Sequence, residues 1–542
     1  MVACADAAFA NSEVYEFLEA EGFKFAIRLP ANQFLQEKID IVRGGWNAAS
    51  TAQAACGFPG TPPLAIVHAV PEFIWGMSVK LIVFVVDVVL SHVYSSSGLA
   101  RRLQERGFAV EYWGDAKIRQ AVEQQGFTFR SLVGLWPRYP EAIRLPTHIH
   151  GLELLFHPAI IIRIIRERRK WRKLLPESLA QFDKSLDALL SSHRPDLVVF
   201  DPFVLAYYPF FHRRRIPAVV LSSKAIPTSD PMVPPYDSYL VPSKIWCGRW
   251  LSRFLWWRCY LRELGRRALR TAARVIAAYT REDLLFVASD LCGFPLRDQI
   301  VRRWIEPDLH LKCVQEWALW IPGIDLPRER SLPANTRYVG PSVDLKRREL
   351  SVHLARRPGS RYLVYVCVGT VRFRWRENVP FLRRVIEAFR DRPEFDVVIS
   401  SGDEQTTRVL GVAPDGIRVF DFLPQLAMLD VADLVITHAG SGTFRECICK
   451  EVPMLAYPRN HDQAGNSARI IYHGIGLRGR RAWDSRSTIR RKALRALTDA
   501  TIRQNLGELK AAIERDEDSL LNNALNSILN ANAQNSRERR YR

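Results

Sequence analysis

The chain has 542 residues, 48% hydrophobic and 25% charged, a composition that excludes an intrinsically disordered protein and leaves room for two full domains and further segments. Its formal net charge is +20, and residues 80–542 carry +24, because residues 1–79 hold four Lys/Arg against eight Asp/Glu. This excess favours anionic partners, although charge alone does not choose between nucleic acid, an acidic lipid surface and a phosphorylated ligand.

Cysteine spacing and apolar run length indicate where the protein works. The nine cysteines form no CxxC pair, which predicts reduced thiols in a cytoplasmic protein instead of a disulfide framework or a zinc site. No apolar run reaches about 18 residues, so we expect no membrane-spanning helix. Residues 1–17 lack the basic and then apolar order of a signal peptide.

Residues 1–76 differ in character from the rest of the chain. The segment ADAAFANSEVYEFLEAEGFKFAIRLPANQFLQEKI, within residues 1–41, resembles an internal piece of DDE-type insertion-sequence transposases. Asp6 matches one acidic position of that family, but a single carboxylate cannot hold the two metal ions of its chemistry. Residues 44–63 are rich in Gly, Ala and Pro and predict a linker. We therefore expect residues 1–76 to be a fused remnant without activity, with Met77 as the original start.

A first α/β domain is predicted for residues 77–335. Its first strand, residues 80–86 (KLIVFVV), is followed by a loop that contains His92 and by a helix from about Ser97. Further strands are predicted at residues 108–113, 127–132, 196–201 and 216–222, with helices between them. This alternation predicts a parallel sheet covered on both faces.

Two basic insertions interrupt this domain. Residues 157–175 (HPAIIIRIIRERRKWRKLL) and residues 243–277 combine apolar and cationic side chains, and both predict helices with an apolar and a basic face. Two interpretations stay open. The aromatic residues pack on the sheet with solvated arginines outside, or they contact a lipophilic acceptor or an anionic membrane surface.

A hinge is predicted at residues 327–345, and a second α/β domain at residues 346–515. Its strands are predicted at residues 361–368, 396–400, 417–420, 434–437 and 454–457. Residues 516–542 are expected to form a terminal helix and a polar tail. The predicted fold class is therefore α/β, with two Rossmann-like domains and an N-terminal extension.

One stretch of the second domain predicts a phosphate site. The buried strand at residues 434–437 leads into His438 and then into Ala439-Gly440-Ser441-Gly442-Thr443, where a helix begins. Glycine lets backbone approach a ligand closely, and the free N–H groups of a helix N-terminus attract an anion. A second strand–helix unit follows directly and places Asp462 and Gln463 beyond the end of its strand.

The order of these residues resembles the donor-binding signature of nucleotide-sugar glycosyltransferases of the plant and macrolide type. The matching residues are His438, Gly440, Thr443, Glu446, Pro453-Met454, Asp462-Gln463 and Asn466. The resemblance covers about residues 78–530 and implies a GT-B type fold, in which two Rossmann-like domains face a cleft.

The resemblance also implies roles for residues on the donor side. His438 and Thr443 would contact the phosphates, Glu446 the ribose hydroxyls, and Asp462 with Gln463 the sugar hydroxyls. Phe422 stands where plant members stack a Trp on uracil, although it can equally be a core residue. The remaining expected donor-binding residues are Gly369, Thr370, Gln425, Gly440, Ser441 and Gly442.

For catalysis, the resemblance points to His92 as the general base and Asp201 as its acidic partner. Histidine titrates near neutral pH and can take a proton from a hydroxyl, and a carboxylate can fix its tautomer. The alternatives are an incidental loop histidine and an aspartate that caps the next helix.

We expect no metal site and no cofactor other than the substrate. No Asp-x-Asp pair lies at a strand end, and Asp516-Glu517-Asp518 falls in a late helix as a solvated face. The helix dipole and His438 would instead offset the charge that grows on the leaving diphosphate.

Together these features predict an inverting enzyme that moves a hexose from a nucleotide sugar, UDP-linked, to a hydroxyl of a lipophilic acceptor. Its partners would be that donor, a lipophilic small molecule or lipid, and an anionic membrane surface on the cytoplasmic side. The alternatives are an epimerase or a lipid-linked cell-wall transferase of the same fold, or an inactive relic. A nucleic-acid-binding protein is disfavoured, since no recognition helix, zinc spacing or stacking motif is present.

The composition break generates a first prediction. A truncated chain that begins at Met77 should fold and bind nucleotide as tightly as the full chain, because residues 1–76 do not belong to either α/β domain. Circular dichroism and calorimetric titration with UDP would measure both properties. Precipitation of the truncated chain, or weaker binding by it, would show that the segment is part of the enzyme.

Overall fold

The structure, a computed structural model, describes residues 2–6, 24–28, 81–135, 158–274, 281–301, 310–349, 354–369, 375–459 and 462–540. The predicted linker at residues 44–63, the proposed start Met77 and the donor-site candidate Thr370 lie outside these ranges. Within the predicted remnant, Val2–Asp6 and Lys24–Arg28 form a separate pair of parallel strands.

A seven-stranded sheet forms the first α/β domain. Its strands are β1 (Leu81–Val85), β2 (Ala109–Gly114), β3 (Thr128–Ser131), β4 (Leu197–Phe200), β5 (Ala218–Ser222), β6 (Gln315–Ala318) and β7 (Thr336–Tyr338). They lie in the order β7-β6-β5-β4-β1-β2-β3. Strands β2 and β3 are added on one side of β1, and β4 to β7 are added on its other side. The boundary between β1 and β4 is therefore the switch point of a doubly wound fold.

A six-stranded sheet forms the second domain. Its strands are β8 (Tyr362–Cys367), β9 (Phe395–Ser400), β10 (Ile417–Phe420), β11 (Leu434–Thr437), β12 (Met454–Ala456) and β13 (Gly476–Arg478). The order β10-β9-β8-β11-β12-β13 has the same pattern, with its switch point between β8 and β11, and all its pairings are parallel. The prediction of two Rossmann-like domains is confirmed.

Fourteen helices connect these strands in the described residues. They are α1 (Leu90–Glu105), α2 (Arg119–Gln124), α3 (Pro158–Ser192), α4 (Tyr208–Arg213), α5 (Gly248–Arg274), α6 (Arg281–Cys292), α7 (Leu296–Gln299), α8 (Trp375–Phe389), α9 (Glu404–Leu410), α10 (Gln425–Val431), α11 (Ser441–Cys449), α12 (Gln463–His473), α13 (Arg486–Thr498) and α14 (Ala500–Arg540). Within the described ranges, no helix has the length and apolarity needed to cross a membrane.

Helix α1 begins earlier than its sequence predicts. It starts at Leu90 instead of about Ser97, so His92 lies in its first turn and not in a loop. The serines that follow tolerate helical backbone because their hydroxyls donate back to it: Ser96 Oγ lies 2.9 Å from the carbonyl of Val93, and Ser97 Oγ lies 3.0 Å from that of Tyr94.

Other boundaries also differ from the predicted ones. The first basic insertion and the helix after it form the single helix α3, which continues through Pro176. Strand β7 lies past residue 335 and inside the predicted hinge, because it pairs with β6. Helix α14 begins at Ala500 and runs to Arg540, so it includes most of the expected polar tail.

Three helices contact the segment that connects the two sheets. Helix α1 approaches so closely that a Cβ on Gly98 would lie 1.7 Å from the carbonyl oxygen of Ser342. Arg445 of α11 donates to the carbonyl of Pro341 at 2.6 Å. Glu517 of α14 accepts from the backbone N–H of Ser342 at 2.7 Å. These contacts hold residues 340–344, called the interdomain linker below, in one backbone conformation.

A buried ion pair joins α12 to the segment after β6. Arg469, 1% exposed, donates to Asp325, and its guanidinium lies 5.3 Å from the ring centroid of Trp320. Arg328 donates to the other oxygen of Asp325 at 3.0 Å. Burial raises the pKa of Asp325, but the two guanidinium groups outweigh it and hold that pKa below its ordinary value.

This pair generates a stability prediction. Asp325→Asn should lower the free energy of unfolding by about 3–5 kcal/mol, because it leaves buried arginines without their counter-charge. Since the folded-state pKa is lowered, the pair stabilises the fold above the unfolded-state pKa near 4, and this contribution disappears as the pH falls through the folded value. Urea unfolding at pH 7 and pH 3 would measure both.

A matched control is the surface pair Arg408–Glu404, in which both side chains are about three-quarters exposed. Arg408→Ala should change the free energy of unfolding by about 1 kcal/mol or less, because exposed pairs are screened by water. Equal effects of the two substitutions would contradict the structural role assigned to Asp325.

Candidate active site

The predicted site residues converge on one cavity of about 510 Å³ at the carboxyl ends of both sheets. His92 follows β1 and Asp201 follows β4, the two strands at the first switch point. Gly369 follows β8 and His438 follows β11, the two strands at the second switch point. The doubly wound topology therefore supplies the site from both domains at the positions where such sheets bind ligands.

His92 and Asp201 form a short hydrogen bond. Nδ1 of His92 lies 2.5 Å from Oδ2 of Asp201, and because a carboxylate can only accept, Nδ1 carries the proton. Nε2 is then the nitrogen that can accept, in a residue that lines the cavity. Burial lowers the pKa of His92, but the charge and hydrogen bond of Asp201 outweigh it and leave the pKa above its ordinary value.

Asp201 is the hydrogen-bond partner of His92, and it caps a turn instead of the next helix, whose N-cap Val204 makes no side-chain hydrogen bond. Its Oδ2 binds His92, while its Oδ1 accepts from the backbone N–H of Phe203 at 2.8 Å and so caps the turn after β4. The ring of Phe203 stacks on the imidazole with centroids 4.8 Å apart. The histidine is thus held on its edge by Asp201 and on its face by Phe203.

On the donor side, β11 ends in a strained turn before α11. Ala439 has a positive φ of 63°, a conformation that a non-glycine residue adopts only when its surroundings enforce it. The hydroxyl of Thr437 accepts from the Ala439 N–H at 3.1 Å, and the side-chain amide of Asn466 donates to the Ala439 carbonyl at 2.9 Å. Asn466 therefore acts by holding the turn that directs the N-terminus of α11 into the cavity.

His438 packs between two glycines that leave room for its ring. A Cβ on Gly369 or on Gly440 would lie 2.9 Å or 2.7 Å from His438 Nε2. Burial lowers the pKa of His438 to about 4, although Asp462 opposes the shift. With this pKa the imidazole is neutral at pH 7, so we expect His438 to act toward a leaving diphosphate by donating one N–H to a phosphate oxygen and not as a cation.

Ser441 and Asp462 connect the two strand–helix units of the signature. The hydroxyl of Ser441 donates to Asp462 Oδ2 at 2.5 Å, and Asn466 donates to the same oxygen at 3.0 Å. The side-chain oxygen of Gln463 accepts from the backbone N–H of Arg459 at 2.9 Å. These bonds fix the side chains that the sequence assigns to sugar hydroxyls.

Glu446 is held by Gln425, which the sequence singled out, and by Arg347, which it did not. Its Oε1 accepts from Arg347 at 2.7 Å, and its Oε2 accepts from the side chain of Gln425. Arg347 also binds Glu349 and lies 5.0 Å from the ring centroid of Tyr94. Arg347 and Glu349 were missed because they lie in a polar run, KRRE, outside any recognised motif.

Phe422 and Gly442 both face open space at the cavity. Phe422 is 55% exposed, so the core interpretation of this residue is wrong and its ring is available to a ligand. A Cβ on Gly442 would meet no atom within 4 Å. Thr443, one residue further, donates to the side-chain oxygen of Gln425 at 3.3 Å. The first turn of α11 is therefore open at Gly442, where the helix N-terminus could receive an anion.

The half of the cavity around His92 has both apolar and polar side chains. Its apolar lining comprises Phe84, Val86, Val89, Val199, Phe203, Val220, Leu221, Tyr236 and Leu319, and its polar lining includes Ser91, Ser95, Ser96, Ser222, Ser223, His310 and Glu316. Lys224 also lines it and lies 5.7 Å from the ring centroid of Phe203. This surface can contact a ligand that has both an apolar body and polar groups.

Comparison with known proteins places these features in a wider group. Residues 390–517 match the family model "Erythromycin biosynthesis protein CIII-like, C-terminal domain". An oleandomycin glycosyltransferase from Streptomyces antibioticus is 31% identical over 160 residues, which cover 29% of this chain and 36% of that protein. The chain thus aligns with about a third of that relative's length. The NDP-glycosyltransferase YjiC of Bacillus subtilis (strain 168) is 23% identical over 71% of this chain and 81% of its own.

A solved structure shows the fold over nearly the whole molecule. The kitacinnamycin glycosyltransferase superposes with a TM-score of 0.57 at 19% identity, covering 82% of this chain and 97% of the other. The described chain therefore has the GT-B fold, with two Rossmann-like domains, as the sequence predicts.

Gly442 provides a test of the anion site. Gly442→Ala should leave the fold intact, since the added methyl meets nothing in the free protein, but should weaken binding of UDP or dTDP by about 10-fold or more, because it occupies the space of a ligand at the helix N-terminus. Calorimetric titration would measure the affinity, and thermal unfolding would verify the fold.

Gly507→Ala on α14 is a matched control, because a Cβ there also meets no atom within 4 Å. It should leave nucleotide affinity unchanged. Unchanged affinity in Gly442→Ala as well would show that the ligand does not approach the first turn of α11.

Proposed function

We propose that this protein is an inverting glycosyltransferase that moves a hexose from a nucleotide sugar to a hydroxyl of a lipophilic acceptor. The observation that carries the proposal is the His92–Asp201 pair, which lines the same cavity as the open N-terminus of α11. A base for the acceptor and an anion site for the donor are the two parts that such a transfer needs.

In the proposed reaction, His92 Nε2 takes the proton of the acceptor hydroxyl while Asp201 holds Nδ1–H. The acceptor oxygen forms a bond to the anomeric carbon, and the bond from that carbon to the nucleoside diphosphate breaks. The diphosphate leaves with the bonding electrons. Asp201 stabilises the imidazolium that forms, in the same way that a carboxylate supports histidine in other acyl and glycosyl transfers.

On the donor side, the backbone N–H groups of the first turn of α11 and the neutral imidazole of His438 would bind the diphosphate. The proposal needs no metal ion, since these donors and the helix dipole face the charge that develops. Glu446 would bind ribose from a position set by Arg347 and Gln425. Phe422 would stack on a pyrimidine base, and we propose UDP-hexose as the donor.

The acceptor half of the proposal rests on the apolar lining around His92. A lipid, sterol-like or polyketide alcohol fits that lining, and the relative named for oleandomycin is consistent with such a class. We include peripheral contact with an anionic membrane on the cytoplasmic side, where lipophilic alcohols partition. Seven cysteines, between Cys247 and Cys449, are free thiols, as in a reducing compartment.

An epimerase or a lipid-linked cell-wall transferase of the same fold remains an alternative. The Asp462–Ser441 contact and the His92–Asp201 pair together favour transfer to an alcohol, because they supply a sugar site and a base in one cavity. An inactive relic would retain the fold without turnover.

Nucleotide release tests these possibilities. The full chain is incubated with radiolabelled UDP-glucose or dTDP-glucose and a panel of lipophilic alcohols, and free nucleotide and glycosylated product are separated. Acceptor-dependent release with formation of product supports the proposal. Epimerised nucleotide sugar would support the alternative enzyme, and no turnover with any donor would indicate a relic.

The first prediction for catalysis is that His92→Ala lowers transfer by about 10²–10⁴-fold, because the acceptor loses its general base. Nucleotide affinity should stay near that of the parent, because His92 lies on the acceptor side. His193→Ala is a control, since that histidine contacts Ser192 at the surface. Equal turnover of His92→Ala and the parent would remove His92 from the mechanism.

A second prediction concerns pH. The base must be deprotonated, so the rate should rise as the pH passes upwards through the raised pKa of His92. Asp201→Asn removes the carboxylate that raises this pKa, so the rising limb of the profile should move to lower pH while the plateau rate falls. A rising limb at the same pH in parent and variant would exclude His92 as the titrating group.

A further inference from the structure

Helix α5 presents a row of large apolar side chains to solvent. Among the exposed residues on it, which also include Leu251 and Tyr260, the row consists of Trp250, Phe254, Trp257, Leu261 and Leu264, at spacings of four, three, four and three residues that place them on one face. Trp250 is 75% exposed, and Trp246, just before the helix, is 98% exposed. A contiguous row of this kind is rare on a protein surface unless something covers it.

The opposite face of α5 is already used for packing. Ser252, Trp256, Cys259 and Glu263 are buried. Trp256 Nε1 donates to the carbonyl of Val233 at 2.9 Å, and Ser252 Oγ donates to that of Asp230 at 3.2 Å. The helix is thereby fixed on residues 230–237, called the strap below. Of the two interpretations of this insertion, packing on the protein therefore accounts only for the Trp256 face.

Arginines flank the exposed row on both sides. Arg253 and Arg258 are exposed and lie about 60–80° to either side of its centre on the helical wheel. Two further arginines of α5 have structural partners, Arg249 with Glu329 at 2.8 Å and Arg262 with Asp237 at 3.1 Å. Indole rings bordered by guanidinium groups match the boundary of an anionic bilayer, where rings enter the headgroup region and cations meet phosphate.

We propose that this face of α5, called the docking face, binds the protein to an anionic membrane surface. The charge of the chain agrees with this occupant, since the formal net charge is +20 and anionic lipid attracts such a protein before contact. Only the link between this face and a lipophilic acceptor rests on the proposed function. Tyr236 of the strap lines the active-site cavity, so the strap lies between α5 and that cavity.

The test is sedimentation of the full chain with vesicles of phosphatidylcholine alone or with phosphatidylglycerol, at low and high salt and without any substrate. We expect binding to the anionic vesicles only, weakened by salt, because exposed charges are screened beyond about 8 Å at physiological ionic strength. Binding that ignores lipid charge and salt, or no binding to either vesicle, would overturn the inference.

Variants locate the surface. Trp250→Ser with Trp257→Ser should weaken vesicle binding by at least about 10-fold, and Arg253→Gln with Arg258→Gln by roughly fivefold for each arginine removed. Trp483→Ser is the matched control, since Trp483, 84% exposed, is a still more exposed indole on another part of the chain. Loss of binding in Trp483→Ser, or full binding in the double tryptophan variant, would contradict the docking face.

A second copy of the chain is the other occupant that this experiment distinguishes. Light scattering over a range of dilutions would show a dimer that the double tryptophan variant abolishes if the face joined two copies, and that result would overturn membrane docking. Because vesicle binding is measured without donor or acceptor, its failure leaves the nucleotide-release assay of the proposed function unaffected, and the reverse also holds.

Discussion

The site depends on one short segment of backbone, the interdomain linker at residues 340–344. This segment is held against α11 and cannot move away from it. Arg445 lies in the signature helix, is almost fully buried, and donates to the carbonyl of Pro341. Burial lowers the pKa of Arg445 to about 10, which shows how much solvation this guanidinium has lost. The close contact of Gly98 with Ser342 fixes the other side of the interdomain linker. Helix α11, the proposed donor site, and helix α1, which carries His92, therefore contact the same few peptide groups.

The two halves of the cavity use opposite electrostatic strategies. In the first domain, His92 keeps a raised pKa because a carboxylate compensates its burial. In the second domain, the pKa of His438 is lowered because burial outweighs Asp462. In the proposed mechanism, the first imidazole accepts a proton and the second donates a neutral hydrogen bond. The same residue type serves two purposes because its surroundings, and not its intrinsic pKa, decide its state.

The sequence predicted ten of the thirteen strands of the two sheets and the residues that follow them, because buried parallel strands form continuous apolar runs and their carboxyl ends are marked by small and polar residues. It missed β6, β7 and β13, which are only three or four residues long. It did not predict the start of α1, since three serines in a row suppress the helical pattern while their hydroxyls bond back to the backbone. Nor did it predict Arg347, because only the fold brings that residue beside Glu446, 99 positions further along the chain.

Sequence also left the charge of His438 and the orientation of α5 undecided, for a common reason. Both depend on what surrounds a side chain in three dimensions: two glycines and a strand end around His438, and the strap beneath α5. The local sequence pattern indicates which residues a helix or turn contains. It does not indicate how far their side chains are exposed to solvent.

The strap has a consequence for communication within the molecule. One side of it receives the hydrogen bonds of Ser252 and Trp256 from α5, and its Tyr236 carbonyl accepts from the N–H of Gly465 in α12 at 2.8 Å. A Cβ on Gly465 would lie 2.2 Å from that carbonyl, so the backbones of the strap and of α12 are in direct contact. Helix α12 begins beside Asp462, a residue of the proposed donor site. If sugar binds there as we propose, a partner that displaces the strap at α5 would alter the affinity for sugar at α12, and by reciprocity the bound sugar would alter the affinity for that partner by the same factor.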